Sequence, residues 1–126
     1  MKKTVLDATA VLALLNDEPG AGTVASLLPQ AVISTVNLAE VVGKLAETGM
    51  PEGMIKSVLG ELGLMVIPFD EDLALSTGLL RPATSDYGLS LGDRTCLALG
   101  QHLRRAVLTA ERMWKTVRLD VEIQMI

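Results

Sequence analysis

Four acidic side chains stand near the ends of predicted strands. Asp7 follows the first strand directly, and Glu40 lies one helical turn into the helix after the second strand. Glu111 comes shortly after the fourth strand, and Asp93 stands at the start of the helix that leads into that strand. In an open parallel sheet, ligands bind beyond the carboxyl ends of the strands, where the strand order reverses. Converging carboxylates are costly to bury without a compensating cation, and their oxygen atoms suit Mg²⁺ or Mn²⁺.

Each acid also has a purely structural explanation. Asp7 could cap the helix that follows it, and Glu111 could complement the dipole of a helix. Glu40 could pair with Lys44 one turn later. Because Asp93 lies on the helix before the fourth strand, only the packing of the chain decides whether it joins the other acids.

Two of the acids have the spacing of a capping box, in which an acid bonds back to the N–H of the residue that caps the helix. Asn37 stands three residues before Glu40, and Ser90 stands three residues before Asp93. This spacing predicts Asn37 and Ser90 as the N-caps of two helices.

Several other chemistries lack the residues that they require. The chain has one His and one Cys, which nearly excludes a zinc site. Gly20 and Gly22 lack the third glycine of a dinucleotide-binding loop and follow no strand. No serine has the nucleophile-elbow pattern of a serine hydrolase, and His102 lies in a helix tail.

A net charge of −4 argues against a broad basic surface for nucleic acid. The excess of bases over residues 94–118 could still form a local basic path or a solvated helical face.

The apolar pattern alternates between short continuous runs, typical of buried strands, and longer runs at helical spacing. Strands are predicted at residues 4–6, 31–34, 64–67, 106–108 and 121–126. Helices are predicted at 8–15, 21–28, 37–49, after Pro51, and at 70–80, 91–103 and 111–117, with a loop over 81–87. Continuous apolar strands that alternate with helices imply a parallel sheet covered on both faces. We therefore predict an α/β fold, a three-layer α/β/α sandwich with a central parallel sheet of four to five strands.

Length and composition predict one domain over residues 1–126, with a mainly aliphatic core. Cys96 has no partner for an internal disulfide and its neighbours place it on the buried face of a helix. The uncharged stretch 19–39 contains Pro, Gly, Gln and Asn and makes a poor membrane span, and Asp7 interrupts the apolar run of a possible signal peptide. These features predict a cytoplasmic protein.

Four segments carry a resemblance to a known family: residues 5–10, 37–41, 88–99 and 107–114. In this order they resemble the acidic motifs of the PIN-domain family, and within it the VapC ribonuclease toxins of bacterial toxin–antitoxin modules. The third segment, with Gly-Leu-Ser-Leu-Gly-Asp-Arg, is the most specific of the four. One departure is Glu111, where the family usually has an aspartate.

The resemblance implies a PIN-like fold and a metal-dependent endoribonuclease that hydrolyses RNA phosphodiester bonds. Asp7, Glu40 and Asp93 would hold one or two Mg²⁺ or Mn²⁺ ions, with Glu111 assisting directly or through water. The bound metal would activate water and stabilise the charge that develops on the phosphate oxygens.

Three further residues could position substrate or water. Thr9 stands where the family usually has a hydroxyl, although it could equally be a residue of the first helical turn. Arg94 could contact phosphate, or form a surface ion pair. Asn37 is predicted as a helix cap rather than as a substrate ligand.

The resemblance also implies partners: an antitoxin whose C-terminal segment obstructs the active site, and a second copy in a homodimer. Some apolar residues of the predicted helical hairpin could remain exposed and need a partner, although core packing is the alternative for each of them: Leu38, Val42, Leu45, Met50, Met54 and Ile55.

Two other functions stay open. One is a phosphatase with Asp7 as nucleophile, although Thr9 stands where that chemistry wants a second aspartate, and the other is a non-catalytic PIN-like interaction module.

Overall fold

The computed structural model describes residues 4–126, which form one five-stranded parallel sheet with helices on both faces. The strands are β1 (Thr4–Leu6), β2 (Ala31–Ser34), β3 (Met65–Ile67), β4 (Val107–Thr109) and β5 (Ile123–Met125). Their spatial order is β3-β2-β1-β4-β5. The chain builds outward from β1 to β3 and then returns to place β4 on the other side of β1, so the strand order reverses between β1 and β4.

Seven α-helices connect the strands over the same residues: α1 (Ala8–Leu15), α2 (Ala21–Leu27), α3 (Thr35–Glu47), α4 (Glu52–Leu62), α5 (Glu71–Leu79), α6 (Arg81–Thr84) and α7 (Leu91–Leu103). Short 3₁₀ turns occupy Leu28–Gln30, Ser85–Tyr87 and Arg112–Thr116. None of these helices is both long and apolar enough to span a membrane.

Successive strand residues point to opposite faces of the sheet, and this alternation produces two cores. Val5, Val32 and Val107 face α5 and α7, together with the buried Trp114. Leu6, Ile33 and Leu108 face α1, α2, α3 and α4. The predicted three-layer α/β/α sandwich with a parallel sheet is therefore confirmed. Cys96 is fully buried among the residues that pack on the first face, as predicted.

Two predicted segments were wrong in type. Residues 81–87 are not a loop, because they form α6 and a 3₁₀ turn. Pro82 lies in the first turn of α6, where its fixed backbone angle favours a helix start, and the Thr84 hydroxyl donates to the Leu80 carbonyl at 2.7 Å. Beyond Glu111 the chain forms a five-residue 3₁₀ turn instead of an α-helix, anchored by the fully buried Trp114.

The hairpin of α3 and α4 buries only part of its apolar surface. Leu45 is 4% exposed and Ile55 is 6% exposed, whereas Met54 is 54% exposed. Leu38, Val42 and Met50 are half-buried. Core packing therefore accounts for Leu45 and Ile55, and Met54 remains open to solvent within the chain.

Candidate functional site

The four acidic residues line one depression at the carboxyl edge of the sheet, where the strand order reverses. Asp7 follows β1, Glu111 follows β4, Glu40 lies on α3 and Asp93 lies in the first turn of α7. The depression has a volume of about 220 Å³, and Thr9, Lys44 and Ser90 also line it. Open parallel sheets bind their ligands at this position. Packing thus brings Asp93 to the same place as the other three acids.

Two threonine hydroxyls hold Asp7 in place. Asp7 is 2% exposed, and its Oδ2 accepts hydrogen bonds from Thr9 Oγ1 at 2.7 Å and from Thr109 Oγ1 at 3.0 Å. The same hydroxyls accept the backbone N–H groups of Ala110 and Glu111, each at 3.0 Å. Asp7 stands at the N-cap position of α1, yet its side chain makes no capping hydrogen bond. The alternative of Asp7 as a side-chain helix cap is therefore wrong, and the threonines tie the end of β4 to Asp7.

Burial makes the charged form of Asp7 costly. Loss of hydration raises the pKa of Asp7 to about 6, against the opposing effect of the two threonine hydrogen bonds. The negative charge of Asp93 raises the pKa of Asp7 further. An anionic Asp7 at neutral pH therefore favours a cation in the depression.

Glu40 is positioned by Asn37, which is fully buried. Asn37 Nδ2 donates to Glu40 Oε1 at 2.9 Å and to the carbonyl of Gly92 at 3.0 Å. Asn37 Oδ1 accepts the Ser34 hydroxyl at 2.7 Å, and that hydroxyl accepts the Asn37 N–H at 3.0 Å. Ser34, not Asn37, is thus the N-cap of α3, so the predicted Asn37 cap was wrong. The Asn37 side chain instead joins α3 to α7 and orients Glu40.

A glycine allows the Glu40 carboxylate to lie against α7. A β-carbon added at Gly92 would overlap that carboxylate, so only glycine leaves room for it without rearrangement. Partial burial raises the pKa of Glu40, and the nearby charges of Asp93 and Glu111 raise it further, against the hydrogen bond from Asn37. The alternative pairing of Glu40 with Lys44 is wrong, because Lys44 pairs with Glu47 at 3.7 Å.

Asp93 combines a structural role with a place in the depression. Its Oδ2 accepts the Ser90 N–H at 2.9 Å, and its own N–H donates to the Ser90 hydroxyl at 3.1 Å. This is the predicted capping box at the start of α7. Among residues 4–126 no hydrogen bond ends on the second carboxylate oxygen, Oδ1. Glu111 lies at the N-terminal end of the 3₁₀ turn and makes no capping hydrogen bond through its side chain.

The donor set suits a hard divalent cation. In the part of the chain that the structure describes, no basic side chain forms an ion pair with any of the four acids. Over residues 4–126 no three acidic, His or Cys side chains are close enough to hold one ion together. Mg²⁺ usually keeps several waters and is bound directly by one or two carboxylates. Carboxylates that share a depression without an ion-pair partner among the described residues, with the pKa values of Asp7 and Glu40 raised in part by neighbouring acids, fit that mode of binding.

Arg94 lies on the other side of the capping box, in an adjacent depression that shares Ser90 with the acidic one. Its Nε is buried and has no hydrogen-bond partner. The alternative of a surface ion pair for Arg94 is wrong for the described residues, because the ion pairs found there join lysines to Glu47 and Glu52.

Three residues of the site were missed in the sequence: Ser34, Gly92 and Thr109. Ser34 and Thr109 each end a strand, and a hydroxyl at a strand end beside a candidate acid is a usable signal. Gly92 stands within the specific third segment, but only the approach of α3 gives it a role.

Comparison with known proteins agrees with the geometry. The sequence model of the PIN domain matches residues 4–119. A comparison with curated proteins finds no match. The chain is similar to a solved structure of DNA-bound VapBC from Salmonella typhimurium, with a TM-score of 0.77, 21% identity and coverage of 99% of this chain and 98% of that one. It is also similar to VapBC2 from Rickettsia felis, bound to a promoter DNA fragment, with a TM-score of 0.77, 16% identity and coverage of 98% of each chain. FitAcB from Neisseria gonorrhoeae has a TM-score of 0.66 and 24% identity, with coverage of 95% of each chain. At these identities the solved structures establish a shared fold, and the match over residues 4–119 shows that the chain belongs to the PIN domain family.

Proposed function

We propose that this chain is a single-domain, metal-dependent endoribonuclease and the toxin of a toxin–antitoxin module. The observation that carries the proposal is the depression shared by Asp7, Glu40, Asp93 and Glu111 at the reversal of strand order in a PIN-domain chain. Mg²⁺ or Mn²⁺ bound there would activate water and stabilise the charge on the phosphate oxygens of RNA.

The chain's own residues supply a preorganised oxygen surface. Thr9 and Thr109 fix one oxygen of Asp7, and Asn37 fixes one oxygen of Glu40, so both carboxylates are oriented at the depression that they line. The capping box fixes Asp93 in the same way. Carboxylates that are held before the ligand arrives lose little side-chain entropy when it binds. Glu111 has one more torsion than an aspartate, and we assign it the secondary role of binding directly or through water.

The proposed partners are RNA, an antitoxin and a second copy of the chain. Two observations support protein partners. Similar solved structures include a toxin–antitoxin complex from Klebsiella pneumoniae, with a TM-score of 0.70 and 20% identity. On the hairpin of α3 and α4, an apolar depression of about 460 Å³ is lined by Val42, Met50 and Ile55 among others. An RNA substrate and a single buried thiol favour the cytoplasm as the compartment.

The biochemical test is incubation of purified, partner-free protein with structured RNAs in Mg²⁺ or Mn²⁺, beside Asp93→Asn and a chelator control. Asp120→Asn is the matched variant, because it removes the same charge from an exposed position outside the acidic depression. We expect cleavage by wild type and Asp120→Asn, and a loss by orders of magnitude in Asp93→Asn. Equal activity in Asp93→Asn, or no cleavage with either metal, contradicts the proposal. RNA binding without cleavage would indicate a non-catalytic module.

The cellular test is expression of the chain with and without the small protein encoded beside it. We expect growth arrest from the chain alone, rescue by that protein, and no arrest from Asp7→Asn or Asp93→Asn. Harmless expression of the wild-type chain at a level confirmed by immunoblot refutes the toxin assignment.

A further inference from the structure

A second depression lies directly beside the acidic one and has the opposite electrostatic character. Its volume is about 380 Å³, and Arg81, Ser85, Ser90 and Arg94 line it together with apolar residues and Gly88, but no acidic residue does. Ser90 lines both depressions. The capping box of α7 is thus the wall between an acidic and a basic compartment.

Both arginines lack an anionic partner within the described residues. The ion pairs formed there involve Lys44 and Lys56, and neither arginine takes part in one. Arg94 is half-buried, and its Nε is shielded from solvent without any hydrogen-bond acceptor. A shielded and unpaired guanidinium N–H is costly, so the fold leaves part of the hydrogen-bonding capacity of Arg94 unused. The half-buried side chain can meet an external acceptor where it lines the depression. Arg81 on α6 is exposed and reaches the same depression.

The chemistry of this depression selects a phosphate group. Guanidinium groups bind phosphate through paired, charge-assisted hydrogen bonds. The Ser90 hydroxyl, which accepts the Asp93 N–H, keeps its own proton to donate, and the N-terminal end of α7 directs a positive dipole to the same place. Without a bound cation the neighbouring acids repel RNA, and a nearby basic site offsets that repulsion.

We propose that the depression between Arg81 and Arg94 binds a backbone phosphate of the RNA substrate, adjacent to the phosphate that enters the acidic depression. This rests on the proposed function for its substrate, and it adds Arg81 and α6 to the substrate-binding surface. Because Ser90 lines both depressions, the two depressions would bind successive phosphates of one RNA strand and so fix the register of its backbone. The proposed phosphate site carries no base specificity, because phosphate contacts position a strand and do not identify its bases.

The test measures RNA binding without cleavage. Fluorescence anisotropy follows a labelled short single-stranded RNA with wild type, Arg81→Gln, Arg94→Gln and the double variant, all in chelator. Arg104→Gln is the matched control, because it removes the same charge at the opposite end of α7. We expect the double variant to raise Kd by about 10- to 100-fold, as expected for loss of hydrogen bonds to a charged group. The slope of log affinity against log salt should fall by about 0.7 for each phosphate that is no longer neutralised by an arginine.

Further arms separate the possible outcomes. Arg94→Lys keeps the charge and should recover part of the RNA affinity that Arg94→Gln loses. Arg81→Gln changes an exposed side chain, so its RNA affinity decides the case if Arg94→Gln fails to fold. Equal weakening by Arg104→Gln, or unchanged binding in the double variant, overturns the proposal. Competition by a polyglutamate peptide as strong as that by unlabelled RNA overturns it in favour of an acidic protein segment. If wild type cleaves no RNA but binds it through Arg81 and Arg94, the nuclease function fails and the phosphate site stands.

Discussion

Replacing Asp7 with asparagine should stabilise the metal-free protein while abolishing its proposed activity. The asparagine oxygen can accept the two threonine hydrogen bonds that now end on Asp7 Oδ2, so the shape of the site is kept. What the substitution removes is a buried negative charge. The free energy of unfolding should therefore rise at any pH where the wild-type carboxyl is ionised.

The magnitude follows from the pKa of Asp7, which burial raises from 3.8 to about 6. A difference of about 2 pKa units corresponds to about 3 kcal/mol of cost to the folded, ionised form. For a chain of this size, that amount shifts the melting temperature by roughly 10 °C. We expect Asp7→Asn to melt up to about that much higher than wild type at neutral pH in chelator.

The pH dependence has a definite sign. The folded state keeps the Asp7 proton to a higher pH than the unfolded state does, because the folded pKa is raised. The stabilisation from a protonated Asp7 is therefore complete below about pH 4 and is lost as the pH rises through about 6. Asp7→Asn should remove this loss, so the two melting curves should converge in acid and separate toward neutral pH.

The assay is thermal unfolding followed by circular dichroism from pH 4 to 8, with Asp120→Asn as the exposed control. Adding Mg²⁺ should raise the melting temperature of wild type more than that of Asp7→Asn, because the variant has one carboxylate fewer in the depression. An Asp7→Asn protein that melts at or below wild type at pH 8 in chelator would refute the reasoning. Such a result would mean that the Asp7 charge is not costly in the folded chain.

Four further substitutions at three positions test Glu111 and two residues that position Glu40. Gly92→Ala should lower RNA cleavage by about 10- to 100-fold, because the added β-carbon displaces the Glu40 carboxylate, and single-turnover rates measure this loss. Asn37→Ala should lower the free energy of unfolding by about 1–3 kcal/mol in urea titrations, because it leaves the buried Ser34 hydroxyl without its acceptor and removes the hydrogen bond to the Gly92 carbonyl. Glu111→Ala should weaken metal affinity by about 10- to 100-fold, whereas Glu111→Asp should retain cleavage and favour Mg²⁺ over Mn²⁺, as measured by rates against metal concentration.

Each of these has a result that would count against it. Gly60→Ala is the control for Gly92→Ala, because an added β-carbon meets nothing within 4 Å there. Equal cleavage by these two variants means that the Glu40 position is unimportant. Wild-type stability of Asn37→Ala would show that water replaces its hydrogen bonds at no cost. If Glu111→Ala matches wild type in both metal titrations, Glu111 is only an acid at a helical terminus.

Features that depend on neighbouring residues could be predicted from the sequence. The alternation of apolar runs located every strand to within a few residues and established the parallel three-layer fold, because hydrophobic periodicity is a local property of the chain. The capping box of Ser90 and Asp93 was also predictable, since its partners stand three residues apart. Local competition produced the errors. The Ser34 hydroxyl starts α3 earlier than Asn37, and Pro82 starts a helix where a loop was predicted.

The acids themselves were visible in the sequence, but their supports were decided by the tertiary structure. Thr109 reaches Asp7 across 102 positions of the chain, and Asn37 reaches the Gly92 carbonyl across 55. The placement of Arg81 beside Arg94 likewise depends on how α6 packs near α7. No local pattern encodes these interactions, because they exist only after parallel strands far apart in sequence have been brought side by side. The residue types were therefore set by the sequence, and their meeting at one edge of the sheet was set by the order β3-β2-β1-β4-β5.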